Sequence, residues 1–265
     1  MPHVPKENER PIRLRCTGAR FPESDLIPTI YALHGVAVTP DVWIDVQRAA
    51  PELPFVAPDL LQLIERGDGT LARVLEGLVA RAPAGPLLLV GSSWGAQLAL
   101  ELGEHLGDRV VGTLLVAPGP ADPDHEFITR ARGLVRVLEH WNDEVARSLP
   151  PLLLYRFGPR YAANVDRLLR MFSVAAMRSA SMLAIADGFR SASETLPLQH
   201  GPVRVLVGAD NRNPITGPGV YEGWRQVLGD DAVERVPAAS EYIQLDRPDH
   251  VADAIRALLR DTGAR

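Results

Sequence analysis

Cysteine is nearly absent from this chain. Cys16 stands alone, which excludes an intrachain disulfide and any cysteine-based metal site. Lys6 is the only lysine, and arginine carries the rest of the positive charge, a coding bias rather than a functional signal. No apolar run approaches the ~20 residues that a membrane-spanning helix needs. Residues 1–15 are polar and lack the apolar core of a secretory leader, so a soluble, cytoplasmic protein is expected. The net charge of -5 speaks against nucleic acid and anionic membrane surfaces as partners. There is no dinucleotide fingerprint and no metal-ligand cluster. The stretch from Gly208 to Pro214 is not a phosphate loop, because it lacks Lys followed by Ser or Thr. No cofactor and no metal are expected. The expected partner is a small-molecule substrate, with homodimerisation left open.

What the chain does have is 265 residues, 46% of them hydrophobic, enough for one large α/β domain with an inserted subdomain. It is organised around Leu87-Leu88-Leu89-Val90-Gly91-Ser92-Ser93-Trp94-Gly95-Ala96. The apolar run reads as a strand buried on both faces. A helical pattern, Gln97 to Leu102, follows at once. A strand turning this sharply into a helix holds its central residue, Ser93, in a strained and accessible position. The glycines at 91 and 95 avoid clashes between strand and helix. Ser93 then stands at a helix N-terminus, where free N–H groups favour a developing negative charge.

Strand signals also fall at Ile12 to Thr17, Pro28 to Leu33, Phe55 to Ala57, Val110 to Ala117, Val203 to Val207 and Ala232 to Val236. Helical spacing appears at Asp41 to Ala50 (Val42, Trp43 and Val46 inward), Thr70 to Arg81, Val220 to Leu228 and Pro248 to Arg260. This alternation predicts an α/β fold with a mostly parallel central sheet and helices on both faces. From Ala121 to Thr195 the alternation stops. Only helical patterns remain there, at Phe127 to Ala146, Pro159 to Phe172 and Met177 to Phe189. The expected organisation is a core of residues 1–120 and 196–265 with a helical cap, 121–195, over the sheet's carboxyl edge.

With these pieces in order, the chain resembles the α/β-hydrolase superfamily over roughly residues 12–262. The matching motifs are His34-Gly35 after an early strand, Gly91-Ser92-Ser93-Trp94-Gly95, a helical cap, Gly208-Ala209-Asp210-Asn211-Arg212-Asn213-Pro214 after a late strand, and a last strand and helix. The resemblance implies an oxyanion hole made by the backbone N–H groups of Trp94 and Val36. It also implies an acid in the turn after Gly208. Counting from Gly208 gives Asn211 and counting back from Pro214 gives Asp210, so both stay candidates. The base is expected in Val236 to Pro248, where Ser240 takes the place of the usual Gly and Glu241 that of the usual His.

That substitution is the most informative feature of the chain. A serine hydrolase uses His to take the Ser proton and return it to the leaving group. A carboxylate is too weak a base unless burial raises its pKa. Under a cap, a glutamate so raised suits proton abstraction next to a carbonyl, with Ser93 as hydrogen-bond donor rather than nucleophile. The expectation is an elimination, lyase or cyclisation step in specialised metabolism. Two alternatives stand beside it: an ester or thioester hydrolase in which Ser93 is the nucleophile and the base is displaced, and a non-catalytic small-molecule binder. Other residues near the site would be Ser92, His34 (orienting the oxyanion loop), and Tyr155 and His125 from the cap. Met171, Met177, Met182, Tyr161 and Phe172 either line the pocket or pack the cap onto the sheet.

Overall fold

The computed structural model describes residues 27–36, 38–67, 69–122, 129, 164, 167–168, 170–171, 188–212, 217 and 219–262. The described chain begins with strand β1, Thr29–Leu33. A 3₁₀ turn, Pro40–Trp43, leads into helix α1, Ile44–Ala49. The short strand β2 is Phe55–Val56, followed by α2, Leu60–Arg66, and α3, Leu71–Arg81. Then come β3, Leu87–Ser92, α4, Trp94–Leu106, and β4, Val110–Val116. After the long intervening segment the chain resumes with the single-turn α5, Ala192–Thr195, and strand β5, Val203–Gly208. It closes with α6, Val220–Leu228, β6, Val233–Val236, the short α7, Ile243–Asp246, and α8, Pro248–Asp261.

The strands pair in the order β2-β1-β3-β4-β5-β6, and every pairing is parallel. Parallel strands buried on both faces need apolar side chains in both directions, and β3 meets this with all six residues buried. Period-two alternation then sorts the core into two layers. Tyr31, Leu33, Leu89 and Leu115 pack with α2, α3, α4 and Trp224 of α6. Ile30, Ala32, Leu88 and Leu114 pack with Val42, Trp43, Val46 and the apolar face of α8. The helices expected at 41–50, 70–81, 220–228 and 248–260 are all found. Pro248 opens α8 from its first turn, where its missing N–H has no intrahelical partner to lose.

Three helices go beyond the sequence reading, α2, the single-turn α5 and α7. In α2 the Asp59 side chain caps the helix by accepting from the Gln62 N–H. The strand expected at 12–17 lies outside the described residues, as does most of the segment 121–195, including Tyr155, Tyr161, Phe172, Met177 and Met182. Within that segment, residues 129, 167, 168, 170 and 171 are helical. Leu168 and Met171 are buried against the layer of Val42 and Trp43, so Met171 packs in the core. The segment's two ends meet: the Ala192 N–H donates to the Ala121 carbonyl at 2.7 Å. Among the described residues no helix is long and apolar enough to cross a membrane, and no group of three or more His, Cys, Asp or Glu could hold a metal ion.

Candidate functional site

All the elements that matter meet at the carboxyl edge of the sheet. Among the described residues three non-glycine residues have positive φ, and each follows the carboxyl end of a strand: Ser93 after β3 (φ 53°), Ala117 after β4 (φ 44°) and Ala238 after β6 (φ 54°). Backbone strain of this kind costs about 1–3 kcal/mol per residue and persists where surrounding packing enforces it. At Ser93 the enforcement is visible. The Ser93 N–H donates to the Val116 carbonyl, and a Cβ on Gly95 would lie 2.2 Å from the Leu33 carbonyl oxygen. A Cβ on Gly91 would collide with the Gly95 backbone at the same separation. Only glycine at both positions lets strand and helix cross this closely. Ser93 itself is half-buried between the buried Ser92 and Trp94, and heads α4 without capping it through its side chain. Trp94 and Gly95 open α4 ahead of its hydrogen-bond ladder, and N–H groups at such a helix start favour negative charge.

The loop after β1 lies against this elbow. A Cβ on Gly35 would sit 3.0 Å from the Ser93 Cβ and 3.6 Å from its Oγ. Val36, the second candidate oxyanion donor, is the next residue. His34 holds this loop. Its Nε2 accepts from the Leu60 N–H at 3.0 Å, which puts the proton on Nδ1, and Nδ1 donates to the Gly35 carbonyl at 2.9 Å. Complete burial pushes the His34 pKa down to about 4, against the opposing pull of the Gly35 bond and the Asp59 charge. His34 is therefore a neutral strut with both ring nitrogens engaged, and is not available as a base.

The loops after β5 and β6 are locked to each other. A Cβ on Gly208 would lie 2.1 Å from the Ser240 carbonyl oxygen, and the Asp210 N–H donates to the Ala239 carbonyl at 2.9 Å. Asp246 ties down the same loop, accepting from the Ser240 N–H at 2.8 Å and the Ser240 Oγ at 2.6 Å. Glu241, next in line, is 8% exposed. Asp210 is exposed and Asn211 half-buried. His250, on the first turn of α8, pairs with Glu234 at 2.8 Å on the surface. His200 pairs with Asp108, and His105 is exposed in the last turn of α4. His125 and His140 lie outside the described residues.

Gln244 and Asp246 are site-supporting residues that the sequence reading did not assign. Gln244 is fully buried, and its Nε2 donates to Ser92 Oγ at 3.0 Å. A glutamine inside the apolar run Tyr242-Ile243-Gln244-Leu245 was the available signal. Above α4, Phe189 packs edge-on against Trp94 with ring centroids 5.7 Å apart. Arg190 beside it grips the buried Glu101 through its backbone N–H, Nε and Nη2, and reaches Glu104 as well.

Known proteins share this fold. Lipase LipV of Mycobacterium tuberculosis is 28% identical over 102 residues, which is 35% of this chain and only 38% of the lipase's own length. Among solved structures, a thermophilic esterase from Thermogutta terrifontis superposes with a TM-score of 0.68 at 21% identity, covering 90% of this chain and 92% of the esterase. The enol-lactonase from Burkholderia xenovorans LB400 does so with a TM-score of 0.65 at 16% identity, covering 89% and 92%. These structural likenesses establish the fold. The model of the alpha/beta hydrolase family matches residues 30–254, which takes in the elbow and the loops after β1, β5 and β6. The chain belongs to the alpha/beta hydrolase family.

Proposed function

We propose that this chain is an enzyme acting on a carbonyl- or ester-bearing small molecule by a non-hydrolytic acid/base step: an elimination, lyase or cyclisation reaction in specialised metabolism. The substrate's carbonyl oxygen sits at the Trp94 and Val36 N–H groups. The Glu241 carboxylate takes a proton from the carbon next to that carbonyl. The C–H electron pair moves into the C–C bond and the carbonyl pair onto oxygen, giving an enolate held by the two N–H groups, each contributing about 3 kcal/mol. Ser93 donates a hydrogen bond to it. The enolate re-forms the carbonyl as it expels a leaving group from the next carbon, or as it adds to a second carbonyl carbon of the substrate to close a ring, and Glu241 returns its proton to the departing group or to the oxygen of that second carbonyl.

One observation carries this reading. A nearly buried glutamate occupies the loop where the family keeps its base, while the nearby histidine, His34, is spent on holding backbone. Ester or thioester hydrolysis is the second reading, supported by the fully formed elbow with Ser93 at φ 53°. The test pairs two measurements. A fluorophosphonate probe should label Ser93 slowly, and nitrophenyl esters should turn over barely above background. In a mass-spectrometric screen of β-substituted carbonyl compounds, Glu241→Gln should retain binding but lose roughly 10²–10⁴ of any turnover found. Rapid stoichiometric labelling at Ser93 would favour the hydrolase. Tight binding without turnover in the parent would make the protein a binder.

A further inference from the structure

Gln244 and Ser92 are 152 residues apart in sequence, and a buried hydrogen bond from Gln244 Nε2 to Ser92 Oγ joins the helix after the Glu241 loop to the elbow. Gln244 has no exposed surface and Ser92 is 3% exposed. Tyr242, which precedes α7, and Ile243 and Leu245 within it all belong to the apolar layer. The Gln244 Oε1 has no hydrogen-bond partner among the described residues. A buried amide with one orphaned oxygen is a poor choice for stability, since an apolar side chain of the same length would fill the space without a desolvation loss. Its geometry offers something a methionine could not. It fixes α7, and with it the Ser240–Glu241 turn that Asp246 clamps, in register with the residue preceding Ser93.

We propose that Gln244 is a positioning residue: through Ser92 it sets where Glu241 stands relative to Ser93 and the oxyanion donors. This rests on Glu241 being the base. The role predicts a split that a structural contact would not give. Gln244→Met, similar in length and apolar, should keep or raise the thermal midpoint while weakening the site.

The experiment follows fluorophosphonate labelling of Ser93 by intact mass over a day, at several pH values, in the parent, Gln244→Met, Ser92→Ala, the double variant and Ser92→Thr. Each of the first two substitutions should slow labelling about tenfold and change its pH profile. The double variant should be no slower than either single one, because both remove the same bond. Ser92→Thr, which keeps the hydroxyl, should label like the parent. Parental labelling in Gln244→Met, or a lowered midpoint with additive effects, overturns the proposal. So does a parent that takes up no probe at all, an outcome that leaves the non-hydrolytic reading standing. A parent that labels fast sinks the non-hydrolytic reading, while the variants still decide the role of Gln244.

Discussion

His34 shows how one residue's burial becomes a property of the whole chain. Unfolded, its imidazole takes a proton as the pH drops below 6.5; folded, it resists until about 4. The unfolded state binds more protons throughout that window, so stability is complete above pH 6.5 and drains away as the pH falls to 4. A displacement of this size corresponds to roughly 3 kcal/mol. Urea denaturation of the parent at pH 7, 6, 5 and 4 should show this decline on top of the loss common to all carboxylates. His34→Gln, which does not titrate, should flatten the His34 component. Equal slopes in the two proteins would mean that His34 is not kept neutral. At this scale the sequence was informative where backbone geometry demands a residue type: Gly91, Ser93 and Gly95 announce the elbow, and His34-Gly35 the loop packed against it. It showed Gln244 only as a polar residue in an apolar run, because its meaning depends on a partner 152 positions away.

Among elements, long periodic patterns were legible and short ones were not. The helices α3, α6 and α8 show apolar residues at helical spacing over 9 to 14 residues, and their bounds follow from the sequence. α7 has four residues, too few for a period to emerge. α2 has seven, and its one clear signal was the capping Asp59 after Pro58. The contact between α4 and the chain around Arg190 is the element-level feature most open to test. Glu101 is a buried carboxylate whose charge is matched by Arg190, and Arg190 is held protonated well above its ordinary range by Glu101 first and Glu104 after it. Removing one partner of such a pair leaves an uncompensated buried charge, which costs about 3–5 kcal/mol. Arg190→Met should therefore lower the urea midpoint sharply. Arg190→Met with Glu101→Leu should recover most of it, because no charge is then left buried. If the double variant is as unstable as the single one, the pair is needed for packing rather than for charge balance.

For the whole molecule, strand–helix alternation was enough to announce the parallel sheet, but the strand order is a property of three-dimensional crossover that no local pattern encodes. The same alternation predicted an interruption at 121–195. The bond between the Ala121 carbonyl and the Ala192 N–H, and the Trp224 Nε1 bond to the Gly119 carbonyl at 2.8 Å, pin the departing chain to the core. If residues 123–187 are an insertion, the core should close without them. Replacing them with a Gly/Ser linker of about six residues, long enough to span ~20 Å, keeps Arg190, Glu101 and the Ala121–Ala192 contact intact. The shortened chain should retain the circular dichroism of a parallel α/β protein and unfold cooperatively. It should melt at a lower temperature, because Leu168 and Met171 are lost from the layer around Val42 and Trp43. Each such side chain contributes about 1.5–3 kcal/mol by its burial. A shortened chain that unfolds gradually, without a cooperative transition, would mean that the segment is part of the core and that the division into core and cap is wrong.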